Sequence, residues 1–255
     1  MSTTGLRPSV DVRRAADRST TALAWLDSRH SFSYGHHYDP ANTSHGLLLV
    51  NNEDRVATGT GFATHPHRDL EIVTWVLSGS LVHEDSTGRR GVVHPGLAQR
   101  ISAGRGVLHS ERNDAYRLEP ERPREPVHFV QMWVTPDQPG LDPGYESREL
   151  DDGVLAAGLV PVASGMPRHA GAAAVRIANR SAALHAARLQ PGQTVTLPEA
   201  PYLHLFVPRG EVDLEGAGAL AAGDAVRCTA TGGQTLTART PAEVLVWEMH
   251  ADLTA

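Results

Sequence analysis

Residues 61–79 read GFATHPHRDLEIVTWVLSG, and this stretch decides how the chain folds. It places His65 and His67 two residues apart, just before an apolar run from Leu70 to Leu77 that is typical of a buried strand. Residues i and i+2 of an extended strand face the same side, so we expect both imidazoles on one face. Pro66 lacks a backbone donor, which places the pair at a strand edge, start or bulge.

A second pair with the same spacing follows about forty residues later. Residues 104–113 read GRGVLHSERN, so a glycine turn leads into a strand that carries His109 and Glu111 on one face. Two such strands facing each other would converge three imidazoles and one carboxylate, a donor set that suits Fe(II), Mn, Ni, Cu or Zn. Either pair alone is a weak signal because short motifs often match by chance. Together, in a strand-rich context, they predict a metal site.

The rest of the chain shows the same strand pattern and almost no helical periodicity. Short apolar or alternating runs are separated by Gly, Pro, Asn and Asp, and the run from Val127 to Val134 alternates in part, as expected of a strand with one ligand-facing side. This pattern predicts an all-β fold built as an antiparallel sandwich or barrel. The clearest strands are expected at 47–50, 70–77, 127–134, 203–207 and 243–249.

Prolines and glycines cluster after Pro136 and predict a domain boundary between Pro136 and Glu146. We place an N-terminal metal-binding domain at residues 1–138 and a C-terminal domain at 139–255. A similar order of glycines and strands in the two halves suggests an internal duplication. The second half has no paired spacing of ligands, so we expect it to bind no metal; its histidines occur singly, at His169, His185, His204 and His250.

Composition narrows the class of protein. A net charge of −6 and a pI of ≈ 6.1 provide no basic field for phosphates, so we expect no direct nucleic-acid partner. The sequence shows no secretory signal and no apolar run long enough to span a membrane. The single cysteine, Cys228, fits a reducing compartment and is expected to be a buried structural thiol. We therefore expect a cytoplasmic, monomeric protein that does not bind membranes.

Several motifs resemble those of the cupin superfamily, and of its pirin family in particular. The first and second cupin motifs are matched by two sets of residues, namely Gly59, His65, His67, Glu71 and Gly79, and then Gly104, Gly106, His109 and Asn113. The whole of 61–79 looks like the pirin signature, and so do the segments at 25–33, 38–40, 83–88 and 102–111. The strong resemblance covers roughly residues 10–150. It implies two tandem cupin barrels of the double-stranded β-helix (jelly-roll) type, a bicupin, with a degenerate second barrel.

The resemblance also implies a ligand set. In many cupins the glutamate at the position of Glu71 completes the metal shell, whereas in pirins the ligands correspond to His65, His67, His109 and Glu111. Spacing agrees in part, because Glu111 shares the face of His109, while Glu71 would lie ~13 Å beyond His67 along an extended strand. We therefore expect Glu111 to be the fourth ligand and Glu71 to support the fold or the ligands.

The resemblance implies a function as well. Members of the family resemble quercetin 2,3-dioxygenases, so we expect an oxidoreductase that uses O₂ and one divalent metal, Fe(2+) before Mn, Ni, Cu or Zn, to open a flavonol such as quercetin. Glu111 would then also act as the general base that accepts the flavonol 3-hydroxyl proton. The alternative is a non-enzymatic, iron-dependent redox sensor that regulates a protein partner.

Other residues are expected to have structural roles. His83 precedes a turn and is interpreted as part of a solvated hairpin end. Trp75, Met132 and Trp133 lie in apolar strands and are expected in the core, although one of them could line a pocket.

Overall fold

Strands dominate the computed structural model, which describes residues 5–253. Up to residue 134 the strands are β1 (Ser9–Arg13), β2 (Ser19–Leu23), β3 (Leu26–His30), β4 (Leu48–Val56), β5 (Gly61–His67), β6 (Glu71–Ser78), β7 (Leu81–Asp85), β8 (Arg90–Val93), β9 (Leu97–Ser102), β10 (Val107–Arg112) and β11 (Val127–Val134).

The remaining strands are β12 (Gly144–Glu149), β13 (Val160–Ser164), β14 (Ala182–Leu189), β15 (Thr194–Thr196), β16 (Tyr202–Arg209), β17 (Glu211–Leu214), β18 (Gly218–Ala221), β19 (Ala225–Thr229), β20 (Thr235–Ala238) and β21 (Ala242–Met249). The helical elements are α1 (Asp152–Ala156) and the 3₁₀ turns Ala15–Asp17, Ala115–Arg117 and Pro167–His169. In the part of the chain that the structure describes, no helix has the length and apolar character of a membrane span. All five strands expected from the sequence are present.

The fold is the all-β pair of tandem cupin barrels that the resemblance implies. Each barrel is made of a large sheet and a four-stranded sheet, and all pairings between the named strands are antiparallel. The first barrel has the orders β12-β9-β6-β11-β4-β3-β2 and β5-β10-β7-β8. The second has the orders β1-β19-β16-β21-β14-β13 and β15-β20-β17-β18.

Two strands cross between the halves of the sequence. β1, near the start of the chain, pairs with β19 in the second barrel, and β12 pairs with β9 in the first. The domain boundary between residues 138 and 139 stays a prediction. Each of the two large sheets contains strands from both sides of that boundary. The two halves of the sequence are therefore joined by backbone hydrogen bonds as well as by side-chain packing.

The largest apolar core lies between the two barrels. It combines Trp75 and Met132 from the first barrel with Leu184 and Trp247 from the second, and each of these side chains is almost fully buried. The expectation that Trp75 and Met132 belong to the core is confirmed. The Trp75 indole N–H donates to Glu243 Oε1 across this interface at 2.7 Å, so the buried indole keeps a hydrogen-bond partner.

A buried ion cluster stabilises the same junction. The Glu53 carboxylate accepts from Arg18 Nη1 at 2.7 Å and from His128 Nε2 at 2.8 Å, while the Arg18 guanidinium stacks 4.9 Å from the ring centre of Phe206 in the second barrel. Burial alone would raise the pKa of Glu53, but the hydrogen bonds and charges of His128 and Arg18 lower it to about 2. The ionised form is thus strongly favoured in the folded protein.

Glu53→Gln should destabilise the protein at pH 7 by about 3–5 kcal/mol, because it leaves the buried Arg18 charge unpaired. The folded pKa lies below the ordinary value of 4.5. The stabilisation by Glu53 is therefore complete above about pH 4.5 and is lost as the pH falls towards 2. Urea unfolding at pH 7, 5 and 3.5 should show the difference between variant and wild type shrinking with acidity. Glu149→Gln, in an exposed pair with His94, is the control, with an expected change below about 1 kcal/mol. Equal stability of Glu53→Gln and wild type at pH 7 would contradict the role of the cluster.

Candidate metal centre

The pairing of β5 with β10 places the predicted ligands opposite one another. His65 pairs with His109 and His67 with Val107, but Glu111 pairs with Phe62, so β5 contains one extra residue between Phe62 and His65. This β-bulge brings Phe62 and His65 to the same side of the strand. Against β7, β10 is regular, and His109 and Glu111 share its buried face as expected.

Gly61 makes the close pairing of these strands possible. Its φ is +154, and a Cβ at this position would collide with the carbonyl oxygen of Glu111 and with the Cα of Arg112. A side chain would push β5 away from β10, so only glycine permits this approach.

Three histidines converge at this pairing. The ring centres are 4.4 Å apart for His65 and His109, and 4.9 Å apart for His67 and either of the other two. One ligand nitrogen from each ring lies within 4.8 Å of the others. The structure therefore brings together three of the four residues that the sequence predicts as ligands.

The nitrogens of this cluster have the bonding pattern of a metal site. His67 Nε2 and both ring nitrogens of His109 are buried and lack a hydrogen-bond partner. His65 Nδ1 lies 2.8 Å from the Ala63 carbonyl oxygen, to which it donates, so its Nε2 lone pair is free. Buried polar atoms without partners are costly, and a cation shared by the three rings removes that cost. The residues present fit a divalent transition metal.

The rings of His67 and His109 are also in the neutral form that a metal requires. Burial, followed by repulsion from His65 and His83, lowers the pKa of His109 to about 3. Burial and the charges of His109 and His65 lower the pKa of His67 to about 4. Both rings are unprotonated at neutral pH, so no proton competes with the ion.

Glu111 is buried beside the cluster, but its carboxylate does not point into it. Gln131 Nε2 donates to both carboxylate oxygens of Glu111, at 2.9 and 2.8 Å, and Trp133 Nε1 donates to Gln131 Oε1 at 3.0 Å. The indole thus fixes the amide with its NH₂ group towards Glu111. Glu111 is not among the groups whose ligand atoms converge on the histidines.

A small cavity of ≈ 60 Å³ opens beside the cluster. Gln131 and Trp133 line it, so the alternating strand at 127–134 does present one face to a pocket, as the sequence indicates. Of the three apolar-strand residues considered for the core, Trp133 is the one that lines the cavity. Its walls include His65, Glu111, Asp54, Tyr34, Gln131 and Trp133.

Asp54 is a candidate functional residue that sequence reasoning missed. It is 4% exposed, and its Oδ1 has no hydrogen-bond partner. Burial, together with the nearby charge of Glu111, raises the pKa of Asp54 to about 7. A carboxyl group of this kind exchanges protons near neutral pH. The signal in the sequence was the polar run at 51–55 within an otherwise apolar strand.

The interpretation of His83 as a solvated residue is wrong. His83 is fully buried, its ring stacks on Tyr145 at 4.9 Å and lies 5.5 Å from His109, and its Nε2 lies 3.0 Å from Asp85 Oδ2. The turn begins at residue 86, directly after β7, and within β7 the His83 side chain faces the interior. His83 therefore packs against the histidine cluster through its contact with His109.

Glu71 is buried and hydrogen-bonded away from the three histidines, and its exclusion from the ligand set stays a prediction. It is 1% exposed and accepts hydrogen bonds from Ser102 Oγ at 2.8 Å and from the backbone N–H of Ala178 at 3.0 Å. Glu71 thus connects the strand after the histidine pair to the second half of the chain.

The second half differs from the sequence expectation in one respect. His169 and His185 are not isolated, because they meet Glu248 in a compact group. Cys228 is buried as expected.

The chain is similar to known proteins over most of its length. The family model described as "Pirin" matches residues 10–134, and the one described as "Quercetinase C-terminal cupin domain" matches residues 162–249. A Mycobacterium tuberculosis protein named as a candidate quercetin 2,3-dioxygenase is 59% identical over 96% of this chain and 97% of its own length. The quercetin 2,3-dioxygenase of Escherichia coli K12 is 41% identical over 55% of this chain and 58% of its own.

A solved structure has the same fold. The bacterial pirin YhhW of Escherichia coli, in complex with nickel(II), superposes with a TM-score of 0.83 at 27% identity, over 96% of this chain and 100% of that one.

His109→Ala should abolish the tightest metal-binding event, because it removes the central imidazole of the cluster. The loss of affinity should exceed the roughly 10–100-fold that removal of an outer hydrogen-bond partner typically costs. Calorimetric titration of metal-free protein with Ni²⁺ measures it. His65→Ala, at a half-buried position, is the second variant, and His36→Ala, which removes an exposed histidine, is the control. Unchanged tight binding in folded His109→Ala would contradict the assignment of the cluster.

Proposed function

Because the chain belongs to the pirin family, we propose that it is a metal-dependent dioxygenase that acts on a flavonol such as quercetin. The observation that carries the proposal is the group of three converging imidazoles, with unpartnered nitrogens on His67 and His109, next to a cavity lined by two buried carboxyl groups. The names of the relatives support the substrate class and the use of O₂. The resident ion in this proposal is one Fe(2+).

His65, His67, His109 and Glu111 would hold that ion. The three imidazoles converge, and Glu111, which shares the buried face of His109, would turn its carboxylate towards them and exchange its Gln131 hydrogen bonds for the ion. An ion of this class would supply Lewis-acid chemistry that lowers the pKa of a flavonol hydroxyl.

The carboxyl groups of the cavity would handle the proton. Glu111 accepts the proton of the flavonol 3-hydroxyl, and its carboxylate is buried at 1% exposure, where water does not compete. Asp54, whose pKa is about 7, lines the same cavity and can hold or release a proton at neutral pH. Two buried carboxyl groups in one cavity are therefore available for successive proton transfers.

The cavity limits how the substrate enters. Its ≈ 60 Å³ is far below the roughly 300 Å³ at which pockets begin to enclose whole drug-sized ligands. Only the edge of the flavonol that carries the hydroxyl and the neighbouring carbonyl fits beside the histidines. The aromatic rings of Tyr34 and Trp133, with centres 5.8 Å apart, form a wall against which the rest of the molecule can stack.

The direct test is O₂ uptake by iron-loaded protein with quercetin. We expect one O₂ consumed for each quercetin lost, and no loss of quercetin without O₂ or after removal of the metal. If no flavonol supports O₂ uptake, and the protein instead captures a protein partner in only one oxidation state of the iron, the regulatory alternative replaces this proposal.

Glu111→Gln should lower kcat with quercetin by about 10²–10⁴-fold, because the amide cannot accept the hydroxyl proton. Asp54→Asn should lower kcat less, and should remove a step near pH 7 from the pH profile of kcat. Glu84→Gln, on the exposed face of the neighbouring strand β7, is the matched control and should retain wild-type rates. Wild-type kcat in metal-loaded Glu111→Gln would contradict the role of Glu111 as a base.

A further inference from the structure

The second barrel contains a group of metal-ligating residues at the end of two neighbouring strands. β14 and β21 pair antiparallel with Ala183 opposite Glu248 and His185 opposite Val246, so His185 and Glu248 are diagonal neighbours on one face. In both strands that face carries the apolar side chains that fill the core of the second barrel, such as Ala187 and Val246. His185 and Glu248 thus face the interior of the second barrel, and they are 7% and 2% exposed.

A third ligand comes from the loop after β13. His169 ends the 3₁₀ turn Pro167–His169, and its ring centre is 5.3 Å from that of His185, with the two planes at 87°. One ligand atom each from His169, His185 and Glu248 lies within 4.8 Å of the other two.

The hydrogen bonds of His169 fix its tautomer. Its Nδ1 lies 2.9 Å from Ser164 Oγ, and its Nε2 lies 3.3 Å from Arg168 Nε, which can only donate. Nε2 is therefore an acceptor, and Nδ1 carries the proton and donates it to Ser164. The same arrangement, a ring N–H held by an outer acceptor and a lone pair directed inward, is found around metal-bound histidines.

The chain's own cation now lies between these donors. The Arg168 guanidinium donates to Glu248 Oε1 through Nη2 and to His169 Nε2 through Nε. Arg168 and Glu248 could form an ion pair without any imidazole. The lone pair on His169 Nε2 is nevertheless directed at the same guanidinium. The Arg168 side chain is 51% exposed and can leave into solvent, whereas the Glu248 side chain is 3% exposed and cannot.

We propose that His169, His185 and Glu248 form a second metal site, for a divalent ion of the Zn²⁺ class, in which the ion displaces the Arg168 guanidinium. Two imidazoles and one carboxylate are a donor set that Zn²⁺ accepts with a position left for water. When His185 Nε2 binds the ion, the proton that it now donates to Glu248 Oε2 at 3.0 Å moves to Nδ1 of the same ring, so the ring stays a neutral ligand. His250 Nε2 donates to Glu248 Oε1 at 2.7 Å and holds the carboxylate in place.

An ion can reach this site from solvent. A cavity of ≈ 460 Å³ is lined by Ser164 and His169 on the outer side of the cluster. The site lies in the other barrel from His65, His67 and His109, so it does not depend on the proposed dioxygenase activity.

The test is metal stoichiometry and affinity, with Zn²⁺ and, as a spectroscopic probe, Co²⁺. Wild-type protein should bind two Zn²⁺ per chain, and the double variant His65→Ala/His109→Ala should bind one, with Co²⁺ giving the visible absorption of an imidazole-containing site. His169→Ala, alone and in the double variant, should remove one ion in each case. Arg168→Gln should tighten binding at the second site by about tenfold or more, because the competing cation is gone.

His169 lies on a half-exposed turn, so its replacement leaves the barrel core intact. If the double variant fails to fold, the comparison of wild-type protein with the single variant His169→Ala still provides the test. His36→Ala controls for binding by exposed histidines and should change nothing. One Zn²⁺ in both the wild type and His169→Ala would overturn the proposal. So would a second ion that His169→Ala retains, or one that binds only after Arg168→Gln.

Discussion

The metal centre depends on the register between β5 and β10. His65 stands directly opposite His109 only because the strands approach closely at Gly61 and because β5 carries one extra residue before His65. The side-chain period of a strand is two, so a slip of one residue would turn every ligand of that strand to the opposite face. The extra residue makes this bulge part of the site, since without it His65 and Phe62 would face opposite sides of β5.

The register is in turn stabilised by the second half of the chain. Glu71 begins β6, four residues after His67, and accepts the backbone N–H of Ala178. Trp75, further along β6, donates to Glu243 in the second barrel. The first barrel, which carries the three histidines, therefore packs against the second barrel, and these contacts hold β6 in place. The pairing of β1 with β19 and of β12 with β9 adds backbone hydrogen bonds between the two halves of the sequence.

Local sequence patterns predicted the parts of this structure that local physics determines. Strand period and turn residues predicted five strands, and the two paired spacings predicted which histidines meet, because a shared face follows from spacing alone. His83 and Asp54 could not be placed in the same way. Their burial depends on Tyr145 and on the opposite wall of the cavity, which are distant in sequence, and a polar residue before a turn is usually solvated. The direction of the Glu111 carboxylate depends on Gln131, which no motif predicts.

The two clusters illustrate different solutions to one electrostatic problem. Converging lone pairs repel unless a cation or a proton lies between them. In the first barrel the structure provides none: the nitrogens of His67 and His109 stay unpartnered, and burial keeps the rings neutral. In the second barrel Arg168 fills the same need for Glu248 and His169. A metal ion that enters the second cluster must break the ion pair between Arg168 and Glu248. An ion that enters the first cluster breaks no hydrogen bond of the unpartnered nitrogens of His67 and His109. The first site should therefore take its ion more tightly, and the second only where metal competes successfully with the guanidinium.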